Sequence, residues 1–104
     1  MSISSHNYMS MIEALDGLKA RGFTEDYIIR EGEMFVKDKK YNPQDLLITE
    51  VYRFEGKSSP QDHSVVYAIE STDGVKGTIV DGYGVYADDA KSDFLEKVPI
   101  RELE

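Results

Sequence analysis

Apolar positions near the start of the chain fall on one helical stripe. Tyr8, Met11, Ile12, Leu15 and Leu18 recur at offsets of 0, 3, 4, 7 and 10. Ser10 followed by Glu13 has the outline of a capping box, and a start near Ser5 or Asn7 is equally open. Gly22 ends the stripe after Lys19 and Arg21, with cations near the carbonyl end and a glycine free to turn left-handed.

The period then changes to two. Tyr27-Ile28-Ile29-Arg30 and Glu33-Met34-Phe35-Val36 flank Glu31-Gly32, which predicts a hairpin with Arg30 opposite Glu33 and Ile29 opposite Met34. Asn42-Pro43-Gln44-Asp45 reads as one capped helical turn, stapled by Tyr41 and Leu46. Leu47 to Glu55 places Ile48, Tyr52 and Phe54 on one face and Leu47, Thr49 and Val51 on the other, the signature of a central strand. Gly56 to Asp62 is a loop, His63 to Ser71 alternates as a strand, Asp73-Gly74 turns the chain, and Val75 to Asp81 returns. Ala87, Ala90, Phe94, Leu95 and Val98 give a second helix from near Asp88, stopped by Pro99.

The order α-β-β-β-β-β-α predicts a single α+β domain over residues 1-104, with 1-5 and 101-104 loose. Its expected architecture is an antiparallel meander of about five strands, with the N-terminal and C-terminal helices packed on one face of the sheet. The other face then holds more apolar side chains than the chain can cover, and a homodimer is expected to bury them.

Composition narrows the chemistry. The 104 residues contain no cysteine, which excludes disulfides, thiolate metal sites and cysteine nucleophiles. A net charge of −8 opposes binding to nucleic acid. The only basic cluster is Lys37, Lys39 and Lys40, read as a solvated hairpin end. No apolar run approaches the ~18 residues of a membrane span. The start Met1-Ser2-Ile3-Ser4-Ser5-His6 lacks the pattern of a signal peptide. The expectation is a soluble, cytoplasmic protein without nucleic-acid or membrane partners, and without metal or cofactor.

Asp81-Gly82-Tyr83-Gly84-Val85-Tyr86-Ala87-Asp88-Asp89 contains the outline of a dinucleotide fingerprint at Gly82, Gly84 and Ala87. That fingerprint requires a βαβ unit, and only 17 residues follow Ala87. Asp88 and Asp89 would also repel a pyrophosphate at the helix start. Tyr83 and Tyr86 suit instead an amphipathic wall for a small ligand or a protein partner, beside Asp81. Tyr52 and Tyr67, on neighbouring strands, are candidates to line the same pocket.

Asp88, Asp89 and Asp93 invite a divalent cation, but acidic residues in a first helical turn are explained by the helix dipole. His63 beside Asp62, and His6, read as surface residues. Glu50 shares an apolar strand face with Tyr52 and Phe54 and needs a partner. Arg53 lies on the opposite face, so the partner comes from another strand or helix. A structural ion pair is expected there; a buried, unpaired Glu50 would be an acid–base candidate.

Tyr52-Arg53-Phe54-Glu55-Gly56, Val66-Tyr67-Ala68-Ile69-Glu70 and the run from Gly77 to Asp88 together resemble a group of bacterial proteins of similar length. Its members often carry the label phosphoribosylpyrophosphate synthetase. The synthetase itself is a far longer chain with a phosphate-binding loop in a doubly wound sheet, so the resemblance implies no catalytic residues here. The functional expectation is a small binding or interaction module. Two alternatives accompany it: a metabolite-binding protein or enzyme using a tyrosine-lined pocket, and an acidic inhibitor of the antitoxin kind.

Overall fold

A computed structural model describes residues 10–54, 64–82 and 89–101. The first helix, α1, spans Met11–Ala20 and begins at Ser10, whose Oγ accepts the Glu13 N–H at 3.1 Å. Its inward stripe is Met11, Ala14, Leu15 and Leu18, with Ala14 and Leu18 fully buried. Ile12 is 68% exposed: Ala14, not Ile12, completes the stripe. The helix closes in a Schellman motif. Phe23 N–H donates to the Leu18 carbonyl and Gly22 N–H to that of Lys19, with Gly22 at a φ of 104°.

Among the described residues, seven strands follow: β1 (Glu25–Asp26), β2 (Ile28–Arg30), β3 (Glu33–Val36), β4 (Lys39–Tyr41), β5 (Leu46–Phe54), β6 (Ser64–Ser71) and β7 (Lys76–Gly82). A 3-10 turn over Pro43–Asp45 joins β4 to β5, and helix α2 covers Asp89–Glu96. The predicted β2–β3 hairpin is present in the expected register, with Glu31 and Gly32 both at positive φ. Lys39 and Lys40 belong to a further strand, β4, paired with β3.

The strands do not form one meander. They form a four-stranded sheet in the order β1-β7-β6-β5 and a three-stranded sheet in the order β2-β3-β4. Most pairs are antiparallel, but β1 runs parallel to β7, and Ile100 makes a parallel bridge to Ile48 on the far edge. The physical reason lies in β5 and β6, which carry apolar residues on both faces. The small sheet folds across one of these faces instead of lengthening the main sheet.

The helices consequently lie on opposite sides, not on one. Leu18 of α1, with Phe23 beyond it, packs on Tyr52, Val66 and Ala68. On the other face, Met34, Val36 and Tyr41 of the small sheet join Phe94 and Leu95 of α2 over Ile48, Ile69 and Ile79. The small sheet and α2 cover the Ile48, Ile69 and Ile79 face that a single meander would leave to be covered from outside.

One polar corner ties the two sheets together. Asp73, in the β6–β7 turn, accepts from Lys39 Nζ, Ser71 Oγ and, at 3.1 Å, Tyr41 Oη. Tyr27 packs edge-on against Tyr41 and donates to the Val75 carbonyl at 2.9 Å; burial pushes its phenol up to about 12. The Lys39 ammonium, and then Ser71, hold the Asp73 carboxyl well below the ordinary carboxylate range. A depressed folded pKa contributes stability above the unfolded value of about 3.9, and that contribution fades as pH falls toward the folded value. Asp73→Asn is therefore expected to lower the urea midpoint at pH 7. The deficit should shrink as pH falls below about 4, and a deficit constant with pH would contradict this linkage.

Candidate functional site

The Schellman turn sends Arg21 and Phe23 across the end of α1 onto the main sheet. On that sheet the register of β5 against β6 shifts between Ile48 and Glu50, leaving Thr49 as an extra residue. The shift reverses side-chain parity. Ile48 faces the small sheet, whereas Glu50, Tyr52 and Phe54 face α1; the sequence-based placement of Ile48 beside Tyr52 is thereby corrected.

Glu50 is only 5% exposed, and its partner is Arg21. Arg21 Nη1 donates to Oε1 at 2.8 Å and Nη2 to Oε2 at 2.5 Å, the two-pronged geometry that guanidinium and carboxylate favour. Tyr52 Oη donates to Oε1 as well. Burial, then the hydrogen bond and charge of Glu50, raise the Tyr52 phenol far above its usual range, so it remains a protonated donor at neutral pH. A carboxylate receiving these three bonds is committed to structure.

Beside this pair opens a cleft of about 290 Å³, lined by Arg21, Phe23, Thr49, Glu50, Glu70, Lys76 and Arg101. Glu70 and Lys76 stand directly opposite each other on β6 and β7, both half-buried. Arg101 is brought in by the C-terminal segment, whose backbone joins the edge of β5: Ile48 N–H donates to the Pro99 carbonyl and Arg101 N–H to that of Ile48. The Phe23 ring forms the apolar wall. The Arg21 guanidinium carbon lies 5.9 Å from its centroid and Lys76 Nζ 5.7 Å.

Ion pairs among the described residues include Arg21–Glu50, Lys37–Glu25, Lys39–Asp73 and Lys40–Glu33. Glu70, Lys76 and Arg101 take part in none of them. A second, larger cleft of about 440 Å³ lies across Lys76, between Gly22, Thr24 and Glu25 on one side and Val36 and Lys37 on the other.

The sheet divides the residues that sequence reasoning grouped together. Glu50 and Tyr52 meet on the α1 face. Arg53, Tyr67 and Asp81 lie on the opposite face, where Arg53, Val65 and Asp81 are aligned across three strands. Burial, and then the charge of Asp81, raise the Tyr67 phenol, with Arg53 opposing. Tyr52 and Tyr67 therefore line no common pocket. Tyr83 and Tyr86, with His6, His63, Asp88 and the side chain of Asp89, lie outside the described residues; Asp93 is exposed. Among the described residues, no group of three or more His, Asp or Glu side chains is arranged to hold a metal ion.

Of the seven cleft residues, sequence reasoning singled out only Glu50. Arg21 reads as a helix stop, Thr49, Glu70 and Lys76 as strand and Arg101 as tail, and nothing in the pattern marks Phe23. One signal was available, the need of Glu50 for a cation; a two-residue turn at Asp73-Gly74 would set Glu70 opposite Gly77, whereas the strands pair it with Lys76. No protein-family model, curated protein or solved structure matches the chain.

Proposed function

We propose that the protein is a small binding module whose ligand seat is the cleft at the C-terminal end of α1. One observation carries the proposal. Lys76 and Arg101 converge with Glu70 on a concave site walled by Phe23, and none of the three is neutralised by an ion pair among the described residues. Glu70 and Lys76 are half-buried, so each gives up part of its hydration without gaining an opposite charge, while Arg101 stays exposed at the rim. The cleft volume of about 290 Å³ lies just below the ~300–1,000 Å³ range of drug-sized ligand sites, which suits a smaller ligand.

Binding is favoured over catalysis because Glu50, the buried carboxylate of the cleft, is already held by Arg21 and Tyr52. The arrangement positions charge without offering a free proton acceptor at that residue.

The test is a metabolite screen read by thermal shift and then by amide NMR spectra. A ligand at about 100 times its Kd should stabilise the fold by roughly 2.7 kcal/mol. Its resonance changes should centre on Phe23, Thr49, Lys76 and Arg101, and Arg101→Gln should weaken it. Ligands that shift only resonances away from this cleft would remove it as the seat.

A further inference from the structure

Given the cleft as ligand seat, we infer that its ligand is a small zwitterion, a molecule carrying both a carboxylate and an ammonium, of the α-amino acid type. The inference rests on the way Glu70 and Lys76 are placed. Directly opposed residues on antiparallel strands have Cβ atoms about 5 Å apart, a spacing at which a Glu–Lys pair can close into an ion pair. Glu70 and Lys76 occupy such a position and make none. The stem of Lys76 instead runs beneath Gly22, with Cδ 4.0 Å from where a Cβ on that glycine would lie, and its ammonium reaches the Phe23 ring.

The result is a carboxylate and an ammonium on one wall, facing the same cleft and held apart, with Arg101 adding a second cation. Each simpler ligand class meets an opposing charge. A plain anion gains Lys76 and Arg101 but approaches Glu70; a plain cation gains Glu70 but approaches two cations. A zwitterion satisfies both sides, its carboxylate toward Lys76 and Arg101 and its ammonium toward Glu70. The excess of one cation at the cleft makes the carboxylate contact the stronger of the two. Phe23 leaves an apolar wall for a short side chain.

The experiment uses the full chain. The common α-amino acids are titrated to about 10 mM and followed by amide NMR spectra. The best binder is then compared with its decarboxylated amine and its deaminated acid. The expected result is that one or more amino acids shift the resonances of Phe23, Glu70 and Lys76, and that both analogues bind at least about tenfold more weakly. Glu70→Gln should abolish the preference over the deaminated acid, and Lys76→Met should reduce the preference over the amine, which Arg101 still supports in part. An analogue binding as tightly as its parent overturns the inference, and so does the absence of any cleft shift across the amino acids. The comparison of analogues on the unaltered chain stands whether or not either variant folds. A metabolite of another class that shifts the same resonances would remove the zwitterion and leave the cleft as seat. Binders acting only elsewhere would remove both.

Discussion

Arg21→Met is expected to lower the stability of the protein by about 2–3 kcal/mol, measured as a displaced urea unfolding curve. Glu50 keeps its place beneath α1 in this variant but loses both guanidinium bonds. A buried carboxylate stripped of its cation retains the cost of lost hydration without the compensating attraction. Breaking a fully buried pair costs more, about 3–5 kcal/mol, and the Arg21 side chain is 31% exposed, which tempers the loss. Adding Glu50→Gln to Arg21→Met should recover part of it, because no charge is then stranded. Equal losses in the single and double variants would show that Arg21 acts through its packing on Phe23 and not through Glu50.

Gly77→Ala is expected to cost as much or more, about 3 kcal/mol, for a steric reason. A methyl group at Gly77 would press on the carbonyl oxygen of Glu25, lie 2.8 Å from its carbonyl carbon and 3.0 Å from Tyr27 Cδ2. Two of these three atoms are backbone, so the collision cannot be relieved by turning a side chain. Strand β1 would have to withdraw from β7, breaking the Tyr27 N–H bond to the Thr78 carbonyl. The segment from Gly22 to Glu25 borders both clefts, so amide resonances of Phe23 and Thr24 should move together with the loss of stability. A variant as stable as the parent would show that β1 is not held against Gly77 in solution.

The parts of the fold legible in the sequence are those set by neighbouring residues. The Ser10 cap, the Gly22 stop, the Glu31-Gly32 hairpin with its register, and the Asp73-Gly74 turn all follow from local conformational preference. What was not legible depends on distant partners. Strand β1 has two residues and exists because Gly77 admits it; no period marks so short an element. The extra residue at Thr49 overturned a strict alternation along β5, and nothing in the local pattern announces it. The turn at Pro43–Asp45 was foreseen, but not that it folds the small sheet back over the main one. For the cleft, Glu50 and Tyr52 were visible because a carboxylate on an apolar face demands explanation. Arg21 and Arg101 were not, since each reaches the site from the end of an element whose local role already accounted for it.

The backbone bridge between Ile48 and Ile100 has a consequence for association. Together with β1 at the opposite margin, it places a short parallel segment along each outer strand of the main sheet. An uncovered outer strand offers a row of N–H and C=O groups on which another chain can template itself into aggregates. Here β5 and β7 each have part of that row taken up by their own chain, through segments too short to offer a long flat border in turn. Residues 98–101, easily dismissed as a trailing end, thus cover part of the β5 border on which another strand could dock.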